Sequence, residues 1–81
     1  MIVDPELLER LIAPDARPAD ARLAESAYSV WSIIAYARAV GWDFEKVAEA
    51  YDLSTEEFAA ALAYYELHRE VIDAKITLNA A

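Results

Sequence analysis

The residue types that most often carry chemistry are few in this chain, and several of them cluster near its C-terminal end. His68 is the single histidine, and the carboxylates Glu66, Glu70 and Asp73 follow one another at helical spacing. A metal site would need several such side chains on one face, but a helix places His68 on a different face from Glu66 and Glu70. We therefore interpret the carboxylate row as a solvent-exposed face and His68 as an interface or partly buried residue.

No catalytic arrangement can be built from the other residues. The chain has no cysteine and one glycine, and it contains no Ser/His/Asp arrangement, no paired acids with a pocket and no phosphate-binding glycine loop. The adjacent residues Tyr64 and Tyr65 could stack on a ligand, but tyrosines with one apolar and one wet end are common at protein interfaces. The sequence thus predicts a protein that is not an enzyme and that binds no metal or cofactor.

Composition and charge narrow the class of protein further. The 81 residues predict a single domain, and 58% of them are hydrophobic, which predicts that some surface is buried against another chain. A net charge of −8 repels nucleic acid at long range. The first residues include Asp4 and resemble neither a signal peptide nor a membrane span. A cytoplasmic protein with no membrane association is expected.

Residues 44–62 predict the central element of the fold, which is a helix, a three-residue turn and a second helix. Asp43 can cap the first helix. Ser54, followed by Glu57 three positions later, predicts a capping box at the start of the second helix. The apolar turn residue Leu53 fits the helix-turn-helix pattern.

Residues 1–21 are predicted to form an N-terminal arm helix followed by a proline-containing linker. Asp4 and the proline after it give a strong helix start, and Pro14 ends the helix at about Ile12. The next segment, residues 22–28, has no clear helical stripe and could form a short edge strand or a plain extended segment.

Residues 22–81 are predicted as a helical, helix-turn-helix-like domain with an extended C-terminal helix. Ser29 can cap a helix that ends at Gly41, which is free to adopt the left-handed conformation. The last helix, from residue 55 to about 78, would be roughly 36 Å long. The fold class is therefore all-α: a small trihelical domain containing a helix-turn-helix, with a short N-terminal arm helix and a long C-terminal helix.

The second half of the last helix predicts a dimer interface. Two adjacent stripes run along the helix with coiled-coil-like spacing, and the small domain is too short to cover the apolar residues at its end. A second copy of the chain, parallel or antiparallel, is the simplest cover. The residues predicted at this interface are Tyr64, Tyr65, His68, Val71, Ile72, Lys75, Ile76 and Leu78.

DNA binding by the helix-turn-helix is the alternative that must be weighed. The side chains that would face DNA are Lys46, Thr55, Glu56 and Ala59. Base recognition favours Arg, Lys, Asn or Gln, and phosphate contacts need basic groups. Only Lys46 is basic, so DNA remains a possible partner that the charge disfavours.

From about residue 22 to the C-terminus, the chain resembles a bacterial family, domain of unknown function family 433. The resemblance rests on SVWSIIAYARAVGWDFEKVAEAYDLSTEEFAAALAYYELHREVID, and specifically on the V-W-x-I helix entry, Gly41, the A-Y-D-L turn, and A-A-L-A-Y-Y followed by E-V-I-D. It implies a helix-turn-helix core, and antitoxins of VapB-like toxin–antitoxin pairs are thought to occur in the family. Many members carry G-T-R before the V-W-x-I helix. This chain has Glu25-Ser26-Ala27 there, so it lacks that arginine for holding an anion.

The resemblance and the residues together predict a protein–protein interaction module. It is expected to be of antitoxin type, to form a homodimer and to bind a basic partner such as a toxin through its acidic surface. A dimeric helix-turn-helix repressor of transcription is the alternative, and a small-ligand sensor is a third candidate.

Overall fold

The computed structural model describes residues 8, 10–13 and 17–79, and this part of the chain is mostly helical. Two short antiparallel strands, β1 (Ile12–Ala13) and β2 (Arg22–Leu23), pair with Ile12 opposite Leu23, and a 3-10 helix (Pro18–Asp20) lies between them in sequence. The helices are α1 (Val30–Ala39), α2 (Phe44–Tyr51), α3 (Thr55–Leu67) and α4 (Arg69–Asn79). None of the described helices combines the length and the apolar composition that crossing a lipid bilayer requires.

Helix α1 lies at the centre of the domain and contacts each of the other three helices. Its buried residues Ile33, Ile34 and Ala37 recur at helical spacing and give it one apolar face. That face joins a single core, to which the other elements contribute Ile12, Ala21, Leu23, Val47, Leu53, Phe58, Ala60, Ala61, Tyr65 and Ile72. The other three helices, α2 to α4, are therefore fixed relative to α1 by one continuous set of buried side chains.

Both ends of α1 are set by local sequence. Ser29 occupies the N-cap position as predicted, although its hydroxyl group donates to the Ser32 hydroxyl instead of capping the helix. At the other end Gly41 adopts a φ of +69°, which confirms its predicted left-handed conformation. The Trp42 N–H donates to the Ala37 carbonyl at 2.7 Å, which is the long hydrogen bond of a Schellman motif.

The α2–α3 segment contains both of the caps that the sequence predicts. The Asp43 carboxylate accepts a hydrogen bond from the Glu45 N–H at 3.0 Å. The Ser54 hydroxyl accepts from the Glu57 N–H and the Glu57 carboxylate accepts from the Ser54 N–H, both at 3.1 Å. Residues 52–54 form the turn, in which Asp52 is left-handed with a φ of 54°.

The prediction of one long C-terminal helix is wrong, because the helix is broken at His68. The backbone of His68 has φ −129° and ψ 36°, and its N–H is shared between the carbonyls of Tyr64 and Tyr65, each at 3.1 Å. After this break α4 packs on α1 and on the 3-10 helix. This packing buries Ile72 completely. Burial of a large apolar side chain stabilises the fold by about 1.5–3 kcal/mol, which outweighs the free-energy cost of one non-helical residue.

The N-terminal segment contributes to the core at its end. Ile12 is buried, and its strand pairs with residues 22–23. For residues 22–28 the sequence left two alternatives open, and the structure forms the short edge strand at residues 22–23. Residues 8, 10 and 11 are helical. The rest of the predicted arm helix, residues 1–7 and 9, and residues 14–16 of the linker lie outside the described residues.

Candidate interaction surface

An apolar stripe on the outer side of α4 is the most prominent exposed apolar feature of the described chain. It consists of Val71, Ala74 and Leu78 of α4 together with Leu67, the last residue of α3, and we call it the outer α4 face. Leu67 is 67% exposed, Val71 43% and Leu78 79%. Since α4 turns Ile72 and Ile76 towards the core, helical geometry places Val71, Ala74 and Leu78 on the side of α4 that faces solvent.

A shallow groove of about 440 Å³ runs along this stripe. Val71, Ala74 and Leu78 line it from α4, and Ala19 of the 3-10 helix lines it from the other side. The charged residues Glu70 and Lys75 complete the lining. Lys75 also holds the two elements together, because its Nζ atom lies 3.5 Å from the Asp20 carboxylate.

A second depression, of about 360 Å³, lies over the break between α3 and α4 and is lined by residues 66–71. It joins the outer α4 face, since Leu67 and Val71 belong to both. The rings of Tyr64 and His68 lie 4.5 Å apart at this break. The apolar stripe therefore continues across the junction of the two helices, and aromatic side chains lie beside it.

A polar cluster joins α4 to the rest of the domain. Arg38 of α1, Tyr65 of α3 and Asp73 of α4 form it, and we call it the clasp. The Arg38 guanidinium donates to the Asp73 carboxylate at 2.7 Å and to the Tyr65 hydroxyl at 3.1 Å, and the Tyr65 hydroxyl donates to the same carboxylate at 2.8 Å. Three helices are thus connected through one carboxylate oxygen.

The clasp perturbs the protonation of its own members. The hydrogen bond from Tyr65, followed by the bond from Arg38, holds the pKa of the Asp73 carboxyl below its ordinary value. Burial, and then the bond to Asp73, raises the pKa of the Tyr65 hydroxyl. The bond to Asp73 also raises the pKa of Arg38. The arrangement is an ion pair with a tyrosine donor, and it contains no general base aimed at an open site.

The family of the chain is shown by its match to a family model. The model described as "Protein of unknown function (DUF433)" matches residues 12–65, well over half of the chain. The chain belongs to the DUF433 family. The matched span of this DUF433 chain runs from β1 into α3 as far as Tyr65, and α4 follows it. No curated protein and no solved structure matches the chain significantly.

The residues predicted at a dimer interface divide into buried, exposed and half-buried groups in the DUF433 fold. Ile72 is completely buried and Tyr65 is buried, so the expectation that the domain leaves Ile72 uncovered is wrong. The cause is the break at His68, which folds α4 back onto α1. Val71 and Leu78 are exposed, as the interface would require. Half-buried positions are occupied by Tyr64, His68, Lys75 and Ile76.

The residues predicted to face DNA do not all lie on the surface. Lys46, Thr55 and Glu56 are exposed. Ala59 is only 8% exposed, so its expected outward position is wrong. Its neighbours in sequence, Phe58 and Ala60, are both buried in the core, and the small Ala59 side chain between them is covered as well. Of these exposed side chains, only Lys46 is of a type that reads bases.

The α2–α3 segment also concentrates the negative charge of the DUF433 domain. Between residues 43 and 57 a single basic residue, Lys46, accompanies six carboxylates: Asp43, Glu45, Glu49, Asp52, Glu56 and Glu57. All except the half-buried Glu57 are exposed. We call residues 43–57 the acidic segment. The negative electrostatic potential of this segment attracts a basic ligand and repels a nucleic acid.

Sequence reasoning did not identify several members of these surfaces. Asp73 was expected to face solvent, and neither Asp73 nor Arg38 was connected to Tyr65. Leu67 and Ala74 were not included in the interface, although their spacing from Val71 was visible as an unbroken stripe in steps of four and three. Within the part of the chain that the structure describes, no three His, Asp or Glu side chains could hold a metal ion together.

Proposed function

We propose that this DUF433 protein is a cytoplasmic protein–protein interaction module of antitoxin type. It forms a homodimer through the outer α4 face and binds a basic protein partner through the acidic segment. The observation that carries the proposal is the exposed outer α4 face. The domain already buries Ile72 in its core, so the exposed side chains of this face add nothing to the stability of the single chain. Exposed apolar patches of this kind mark interaction sites.

The spacing of the stripe supports a second copy of the chain as the occupant. Within α4, Val71, Ala74 and Leu78 follow in steps of three and four residues, which is the spacing of a helix that packs along another helix. A two-fold axis would place the same stripe from both copies together. At about 25 cal/mol per Å² of apolar area, burying these side chains contributes several kcal/mol, enough for moderate association.

The charge distribution supports a basic protein as the second partner. The acidic segment carries six carboxylates against one lysine, and it lies on helices other than α4. A partner rich in Lys and Arg would gain both association rate and specificity from this field. The antitoxin type is proposed from the family resemblance, because antitoxins are thought to occur in the family and an antitoxin binds and neutralises a toxin.

The alternative, a dimeric repressor with a DNA-binding helix-turn-helix, has weaker support. Its support is the arrangement of α2 and α3 around a three-residue turn, with Thr55 exposed at the start of the second helix. Glu56 and the rest of the acidic segment would face phosphates and repel them. We therefore place the helix-turn-helix in the scaffold of the domain and not in a DNA interface.

Sedimentation of charged variants tests the homodimer. The wild type should sediment at twice 9.0 kDa at tens of micromolar, whereas Val71→Glu and Leu78→Glu should sediment as monomers. Thr77→Glu is the matched control, because it adds the same charge to an exposed position of α4 outside the stripe. A monomeric wild type, or a Thr77→Glu variant that dissociates as fully as the other two, would contradict the interface.

Co-expression with the adjacent gene tests the antitoxin type. The product of that gene should be basic, should inhibit growth when it is expressed alone and should be neutralised when this chain is expressed with it. Glu49→Lys together with Glu56→Lys should weaken the neutralisation, while Glu25→Lys, an exposed position outside the acidic segment, should not. A neighbouring product that has no effect on growth would exclude this function for the pair.

A further inference from the structure

The junction between α3 and α4 consists of one residue, His68. Its φ of −129° and ψ of 36° depart from the helical values of about −63° and −42°. The helical hydrogen bonds continue on both sides, from the His68 N–H to the Tyr64 carbonyl and from the Ile72 N–H to the His68 carbonyl. Residues 55–79 contain no glycine and no proline. A rotation confined to His68 therefore converts α3 and α4 into one continuous helix.

The contacts that hold α4 in place are made with other elements of the domain. Ile72 fills the core against α1. Asp73 completes the clasp, and Lys75 lies beside Asp20 of the 3-10 helix. None of these contacts requires that α4 belong to the same chain. A second copy presents the same groups in the same geometry.

A straight helix cannot make these contacts within one chain. Over residues 55–79 it would be about 37 Å long at 1.5 Å per residue, longer than the greatest dimension of the domain, which is 34 Å. Ile72 and Asp73 would then lie beyond the body formed by the strands and α1 to α3. The place vacated by α4 would expose core side chains, so a straight helix needs another α4 to fill that place.

We propose that two copies of the protein exchange α4. In the exchanged dimer each helix is straight at His68, and each α4 occupies the place of α4 on the other copy. This inference rests on the proposed homodimer and adds the exchanged α4 contacts to those of the outer α4 face. Because the closed monomer and the exchanged dimer make the same buried contacts, concentration and the conformation of His68 set the balance between them.

Complementary charge reversal distinguishes exchange from any other dimer. Arg38→Asp and Asp73→Arg each place two like charges in the clasp of a closed chain. In an exchanged heterodimer of the two variants, each clasp again contains one Arg and one Asp. After the two variants are refolded together, with one of them tagged, tagged chains should recover the other variant about tenfold more than each variant recovers its own kind.

Two controls isolate the clasp in this experiment. Lys46→Asp and Glu49→Arg make the same changes of net charge at exposed positions away from α4, and this pair should show no such preference. The doubly substituted chain Arg38→Asp, Asp73→Arg restores the pair within one chain, so it should melt close to the wild type and show no preference either. Together they separate clasp complementation from long-range charge effects and from unfolding.

The outcomes also separate this inference from the proposed homodimer. Equal recovery in all mixtures, including two wild-type copies, would overturn exchange and leave the outer α4 face as the dimer contact. No recovery in any mixture would overturn both.

A second measurement examines the hinge. His68→Ala favours a continuous helix and should raise the dimer fraction, and His68→Gly should lower it. The dimerisation constants of the two variants should differ by about fivefold per hinge. Equal dimer fractions would contradict a hinge at this residue.

Discussion

At the scale of single residues, neighbouring positions of α4 have opposite environments. Ile72 is completely buried among core side chains, while Val71, one position earlier, is 43% exposed on the outer α4 face. The core side contributes to folding, and the exposed side is free to contribute to association. Substitutions at the two positions should therefore affect different measurements.

Truncation of Ile72 tests this division. Ile72→Ala should lower the free energy of unfolding by about 2–5 kcal/mol, because it leaves a cavity in the core. Ile72→Val should cost about 0.5–1.5 kcal/mol and remain folded if the alanine variant does not. Val71→Ala should change stability by less than about 0.5 kcal/mol. Urea unfolding of the three variants measures these differences, and similar losses at positions 71 and 72 would contradict the assigned burial.

The clasp should make stability depend on pH through Asp73. The pKa of Asp73 is lowered in the folded protein, so its contribution is present above the ordinary value of 3.8 and is lost as pH falls through the folded value. The contribution should stay below about 1 kcal/mol, since both charged groups are half exposed. The difference in unfolding free energy between the wild type and Asp73→Asn should therefore shrink as pH falls below about 4, through the lowered pKa of Asp73.

Tyr65→Phe provides the graded comparison for this measurement. It removes the donor that contributes most to the lowered pKa of Asp73 but leaves the ion pair with Arg38 in place. Its pH dependence should lie between those of the wild type and Asp73→Asn. If the wild type and Asp73→Asn lose stability in parallel over this range, the clasp has no part in the acid response.

At the scale of elements, the end of α1 depends on one left-handed residue. A Cβ atom at Gly41 would meet no atom within 4 Å, so only the backbone conformation, with a φ of +69°, opposes substitution. Gly41→Ala should therefore lower the unfolding free energy by about 1 kcal/mol, and Gly41→Asn, which tolerates this conformation better, should lower it less. Thermal melting followed by circular dichroism measures both, and an alanine variant as stable as the wild type would contradict the Schellman motif.

At the scale of the whole molecule, charge should determine the response to nucleic acid. Because the acidic segment surrounds the start of α3, the protein should bind duplex DNA at most at roughly millimolar strength, even at low salt. A gel-shift measurement with the DNA upstream of its own gene checks this. Tight, salt-sensitive and sequence-selective binding would favour the repressor over the interaction module.

The sequence by itself determined the features that depend on neighbours along the chain. Asp43, Ser54 with Glu57, and Gly41 specify helix ends through hydrogen bonds or backbone conformations within a few residues, and each was predicted at the correct position. The end of α1 and the starts of α2 and α3 follow from them. The apolar stripe of the last helix also predicted that the domain leaves Val71 and Leu78 uncovered, and both are exposed.

Only the tertiary structure decided where the helices lie against one another. The stripes of residues 55–78 continue without interruption through His68, so no local signal marks the break. It arises because burial of Ile72 and closure of the clasp stabilise the bent chain through residues distant in sequence, such as Arg38, which is 35 positions from Asp73. Periodicity shows which side of a helix is apolar, but the space available against α1 determines which apolar residues are covered.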